Sequence, residues 1–252
     1  MGTSQSSPGP GGKSPLVPSW ADDQPGIPLP KPEARRFAPF RETLGRYLQS
    51  GNRDDLRSSL GNYARKGSGG GSTASRRMGS VNQAGASLYG ALSGGEAFGV
   101  SEEKLVSLSD LSGQPCDAAI AQITDALTPE DGDADKIRSA MNHALVEALD
   151  GVEVFDPECI TDDVIVNTMI GYLAESVFIQ IVMDAGDAWN KAEKESQSIS
   201  AENDLRELIK VVVDHHMASK FGGNVRSFTS QQIVKLERLV IQEVWSEWED
   251  YQ

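Results

Sequence analysis

Residues 160–186, ITDDVIVNTMIGYLAESVFIQIVMDAG, decide the fold. Val164, Ile165, Met169, Tyr172, Leu173, Val177, Phe178, Ile181 and Val182 leave little room for a polar face, and a helix apolar nearly all round belongs at the centre of a bundle. The stretch is rich enough in β-branched residues to suit a buried strand as well, and periodicity alone does not separate the two. Its length, with turn residues confined to Gly171 and Gly186 up to Trp189, favours the helix. Asp162 and Asp163 suit the positive end of a helix starting there.

Helical spacing continues on both sides. Upstream, Asp133 or Asp135 starts a helix carrying Ile137, Met141, Leu145 and Leu149, closed by Gly151. Before it, Pro115 opens one with Ile120, Ile123 and Leu127, ended by Thr128-Pro129, and Ser101-Glu102-Glu103 reads as cap and first-turn acids ahead of Leu105, Val106 and Leu108. Met78, Val81, Leu88 and Leu92 mark a small-residue helix able to approach a neighbour closely. Downstream, Ser200 is expected to cap a helix through Leu205, Leu208, Ile209 and Val212 to Gly222-Gly223. Thr229 or Ser230 begins the last one, with Ile233, Leu236, Leu239, Val240, Val244, Trp245 and Trp248. The expected fold is all-α, a bundle of about six to eight helices preceded by a long extended N-terminal tail rich in Gly, Pro and Ser.

Four segments are expected: a flexible tail over 1–38, a short basic helical pair over 39–66, a Gly/Ser linker over 67–73 and an acidic helical body over 74–252. In the pair, Phe40, Leu44, Tyr47 and Leu48 share one face before Gly51, and Leu56, Leu60 and Tyr63 share the next. The net charge of −14 is unevenly spread: residues 1–80 carry twelve Lys/Arg against six Asp/Glu, and residues 81–252 eleven against thirty-one. Such a body repels nucleic acid and anionic membrane, whereas the N-terminal third is free to meet a phosphate or the protein's own acidic surface. Its arginines lack the aromatic and base-reading pattern of a nucleic-acid module.

No apolar run is expected to reach the roughly eighteen residues of a membrane span and no signal-peptide core opens the chain, so a cytoplasmic protein is expected. Cys116 and Cys159 are the only cysteines and are expected to be reduced. His215 and His216 are adjacent and point apart on a helix. With His143 and Asp214 they meet no ligand spacing, so neither a metal nor a cofactor is expected, and no catalytic signature points to an enzyme.

The tail has three motif readings. Gly9, Gly11 and Gly12-Lys13-Ser14 look like the end of a phosphate-binding loop, but Ser7 stands where a glycine is required, no strand precedes it, and Pro8 and Pro10 remove two backbone donors. Met1-Gly2-Thr3-Ser4-Gln5-Ser6 fits the myristoylation pattern, with nothing basic behind it to complete a stable anchor. A solvated tail is the plain alternative. Removal of Met1 would leave a Gly2 amine with a pKa of about 7.7–8, nucleophilic near neutral pH. Further on, Trp20, Ile27, Leu29, Phe37 and Phe40 are spaced along a Pro-rich strap like anchors for a partner or for the protein's own body.

Met1-Gly2-Thr3-Ser4, Ser7-Pro8-Gly9-Pro10-Gly11-Gly12 and Pro15-Leu16-Val17-Pro18-Ser19-Trp20 resemble the opening of the QatB family of the bacterial Qat antiphage defence system. The resemblance implies a setting beside a QueC-like enzyme (QatC), a membrane-family ATPase (QatA) and a TatD-like nuclease (QatD). It further implies that Gly2 accepts a 7-deazaguanine from the QueC-like partner in an ATP-dependent conjugation. Thr3, Ser4, Gln5, Pro8, Gly9, Pro10, Leu16, Val17 and Trp20 are then the residues that partner recognises. The alternative is a helical adaptor for the ATPase or nuclease, the tail serving only as a tether.

Overall fold

The computed structural model describes residues 9–11, 13–94 and 97–252. Among them are nine α-helices and no β-strand beyond two isolated bridges: α1 (Ala38–Ser50), α2 (Arg53–Asn62), α3 (Gly71–Arg77), α4 (Gly79–Leu92), α5 (Cys116–Leu127), α6 (Ala134–Ala148), α7 (Asp162–Ala185), α8 (Glu195–Met217) and α9 (Ser230–Glu249). The all-α expectation holds over these residues.

The central helix is α7. Thr161 caps it by accepting from the Val164 N–H at 3.2 Å, and Asp162 and Asp163 occupy its first turn. It packs on α6, α8 and α4, burying Met169, Tyr172, Leu173 and Ile181 completely. Each such side chain contributes roughly 1.5–3 kcal/mol through removal from water. With its 3₁₀ extension to Lys191, α7 is long and apolar enough to cross a membrane, yet 78% of its most apolar window lies inside the protein. That is the environment of a core helix.

α9 closes the bundle against α4, α3 and α8, and its Thr229–Gln232 capping box lies where the sequence places a start. Its Glu237 is fully buried. The side chain reaches the backbone of Gly85 on α4, where a Cβ would collide with the carboxyl group. Neither carboxyl oxygen has a hydrogen-bond partner among the described residues, and burial pushes its pKa well above the ordinary glutamate value.

Three local expectations are corrected. α8 starts at Glu195 rather than after Ser200, because the Gln197 side chain accepts from the Glu193 and Lys194 N–H groups at 3.0 and 3.1 Å. Ser101 does precede a helical turn with Glu102 and Glu103 in it, but this is a 3₁₀ turn ending at Lys104, without a cap bond from the Ser101 side chain. Phe98 and Val106 form an antiparallel bridge there, and Asp110 accepts from the Ser107 hydroxyl at 2.7 Å, starting a separate 3₁₀ turn. The Gly/Ser stretch is built in rather than linking. Tyr63–Gly67 extends α2 as a π-turn, the Ser68 hydroxyl accepts from the Trp245 Nε1–H at 2.7 Å, and α3 begins at Gly71.

Arginines of the basic surface expected on α1 and α2 stay exposed but are paired within the protein. Arg53 pairs with Asp204 on α8, Arg46 with Glu42 and Asp55, and Arg65 donates to the carbonyls of Glu249 and Tyr251. Cys116 and Cys159 are free thiols.

Candidate functional site

Residues 13–37 carry the N-terminal leader across α3, α4, α9 and the end of α7 in irregular turns. This part of the expected flexible tail is seated, and its seat is made by arginines. Arg76 on α3, itself almost wholly buried, donates from Nε to Asp22 Oδ1 at 3.1 Å and from Nη2 to Oδ2 at 2.8 Å. Its remaining donors reach the carbonyls of Ile27 and Gln24, each at 2.9 Å. Hydrogen bonding from Arg76 holds the Asp22 carboxyl below its ordinary pKa, against the opposing effect of burial. Arg238 on α9 pairs with the neighbouring Asp23. Just before these clamps the leader passes so close to α4 that a Cβ on Gly79 would collide with the Ala21 carbonyl oxygen.

A second group of clamps lies nearer the N-terminus. Arg36 donates to the carbonyls of Ser14 (2.9 Å) and Pro15 (3.2 Å). Arg41 on α1 donates twice to the Asp184 carbonyl at the end of α7 (3.0 and 2.8 Å) and once to the Pro10 carbonyl (3.0 Å). Both guanidinium groups lie over the Phe37 ring, at 4.7 and 5.1 Å from its centroid. The chain turns back on itself at Arg35, whose φ of 57° is the one positive value at a non-glycine among the described residues. Such a conformation costs on the order of 1–2 kcal/mol and is held here by the clamps on both sides. Asp184 is buried beneath, accepting from the Tyr63 hydroxyl at 2.7 Å.

The residues expected to meet a partner enzyme separate into three groups. Gly2, Thr3, Ser4, Gln5 and Pro8 lie outside the described residues. Gly9 and Pro10 sit at the end of α7, Gly9 with a φ of 68° against Arg41 and Gly186. Leu16 and Val17 are each only 5% exposed and pack into the protein's own body, whereas Trp20 lies over Gly132 and is 53% exposed. Among the described residues no His, Cys, Asp and Glu cluster is arranged to hold a metal ion; His216 lies between Glu243 and Glu247. The clamping arginines, with Asp22 and Asp184, were not marked as a group by any spacing. The one signal for them is the surplus of positive charge in the first eighty residues facing an acidic remainder.

A family model described as Qat anti-phage system associated protein QatB matches residues 69–248, the body from the start of α3 to the end of α9. Neither a curated protein nor a solved structure matches the chain.

Proposed function

Because the chain belongs to the QatB family, and is thereby a component of the Qat antiphage defence system, we propose that it serves there as a substrate rather than a catalyst. Its N-terminal Gly2, freed by removal of Met1, is presented to a QueC-like partner enzyme (QatC). The partner uses ATP to activate a 7-deazaguanine carboxylate. The Gly2 amine attacks the activated carbonyl and loses a proton, the activating group departs, and an amide joins the base to the tail.

The observation that carries this reading is the seating of the leader as far as Pro10 by Arg36 and Arg41, beside the end of α7. Anchoring there fixes Gly9 and Pro10 beside the end of α7. Gly2 precedes Gly9 by seven residues, so its amine reaches at most about 25 Å from that point. The partner therefore docks beside the α1–α7 corner, and Leu16 and Val17 position the arm instead of entering the partner's active site.

Intact-mass and N-terminal peptide analysis after co-expression with the QueC-like protein tests the reading. The expected result is a Gly2 peptide heavier by the deazaguanine acyl group; an unaltered Gly2 terminus under active conditions would overturn it. The adaptor reading draws on the exposed Val211 in the groove between α6, α7 and α8, which offers the ATPase (QatA) or nuclease (QatD) a docking face. Deletion of residues 2–8 separates the two, since an adaptor keeps phage protection and a substrate loses it.

A further inference from the structure

Beneath the leader lies a cavity of about 230 Å³ lined by Ser14, Pro15, Arg36, Phe37, Arg77 and Asp184, among others. Its charges do not balance. Arg36 spends its two terminal nitrogens on carbonyl oxygens, which accept hydrogen bonds without neutralising charge, and its buried Nε has no partner among the described residues. Arg77 makes one long ion pair, 3.9 Å to Asp184 Oδ1. Asp184 also serves the Tyr63 hydroxyl and lies beside Arg41. Lys136, behind Asp184, is already matched by Asp133 at 3.0 Å, and Asp187, beyond Arg41, is exposed to solvent.

Two guanidinium groups thus face one enclosed space with a single buried carboxylate between them, and uncompensated buried charge is costly. Planar guanidinium forks are suited to phosphate oxygens. We propose that this cavity is a binding site for a phosphate group, held by Arg36 and Arg77 with the Ser14 hydroxyl, free or as the terminal group of a nucleotide. The volume suits a phosphate and its immediate substituent, being below the roughly 300–1,000 Å³ of sites that enclose whole drug-sized ligands. Of the Gly-Lys-Ser stretch, Ser14 is the residue that lines this cavity. Since Ser14 and Arg36 belong to the leader side and Arg77 to α3, the bound anion bridges leader and body.

The test is calorimetric titration of the full chain with inorganic phosphate and, separately, with AMP, at constant ionic strength set by chloride. Saturable one-to-one binding is expected, about tenfold or more weaker in Arg77→Gln, a substitution that leaves the clamps of Arg36, Arg41 and Arg76 intact. Equal affinity for both ligands identifies free phosphate as sufficient, and tighter AMP binding identifies a nucleotide; either supports the site. In the unsubstituted protein, phosphate is expected to slow amide exchange around Ser14 and Arg77. The absence of saturable binding by either ligand, binding unchanged in Arg77→Gln, or protection confined to other regions would overturn the proposal.

Discussion

The leader seat and the α4–α7–α9 core are both buried, but they are held by different forces. In the core, Leu173, Ile181, Val240 and Trp245 are removed from water and few polar contacts cross the interface. In the seat, Leu16, Val17, Pro18 and Ala21 are the buried apolar residues of 13–35, and the rest is done by Arg36, Arg41, Arg76 and Arg238 acting on carbonyls and two aspartates. Apolar burial is cooperative and insensitive to charge screening and to protonation. Charge-assisted contacts are local and respond to both. The leader is therefore expected to come off before the body unfolds.

The largest effect should come from the core. Leu173→Ala, at a fully buried position on α7, is expected to cost about 2–5 kcal/mol of global stability, read as a lower thermal midpoint by circular dichroism. Tryptic cutting after Arg35 should rise only in parallel with global unfolding.

A mid-sized effect, confined to the leader, is expected from Asp22→Asn, which removes the carboxylate gripped by Arg76 and weakens the seat by about 1.5–3 kcal/mol. Tryptic cleavage after Arg35 should accelerate at least tenfold while the thermal midpoint hardly moves. If the midpoint falls together with leader protection, the two regions are one cooperative unit. Acid gives the same contrast. The Asp22 pKa is lowered in the folded protein, so the pair stabilises the seat above the ordinary carboxylate range and loses this contribution as pH falls through the lowered value. Leader protection should fail there in the native chain, and Asp22→Asn should lack that dependence.

The smallest effect belongs to Glu237, the exception within the core. Its pKa is raised, so its relative contribution to stability is full below the unfolded glutamate value and is lost as pH rises toward the folded one. Glu237→Gln should stabilise the protein by about 1 kcal/mol at neutral pH, a gain that shrinks toward pH 4. A gain that is independent of pH would show that ionisation is not its source.

The core was legible because apolar spacing and helix caps are written in residue types. The 160–186 run marks α7, Gly51 ends α1, and Thr229 starts α9. The seat was much less legible, since most of its acceptors are main-chain carbonyls, which every residue carries. Arg76 and Asp22 are separated by α1 and α2, and nothing local ties them. The Gly67–Ser72 stretch misled for a related reason. Its composition is that of a linker, but Ser68 is locked by Trp245 from the far end of the chain.

That dependence on α9 has a temporal consequence. Asp23 needs Arg238, Ser68 needs Trp245 and Arg65 needs the carbonyls after Trp248, so the seat is incomplete until the last helix has left the ribosome. At about 5–20 residues per second, the roughly two hundred residues between leader and α9 take on the order of 10–40 s to synthesise. During translation the start of the chain is made first and put in place last, which leaves it open to co-translational processing before the body closes over it.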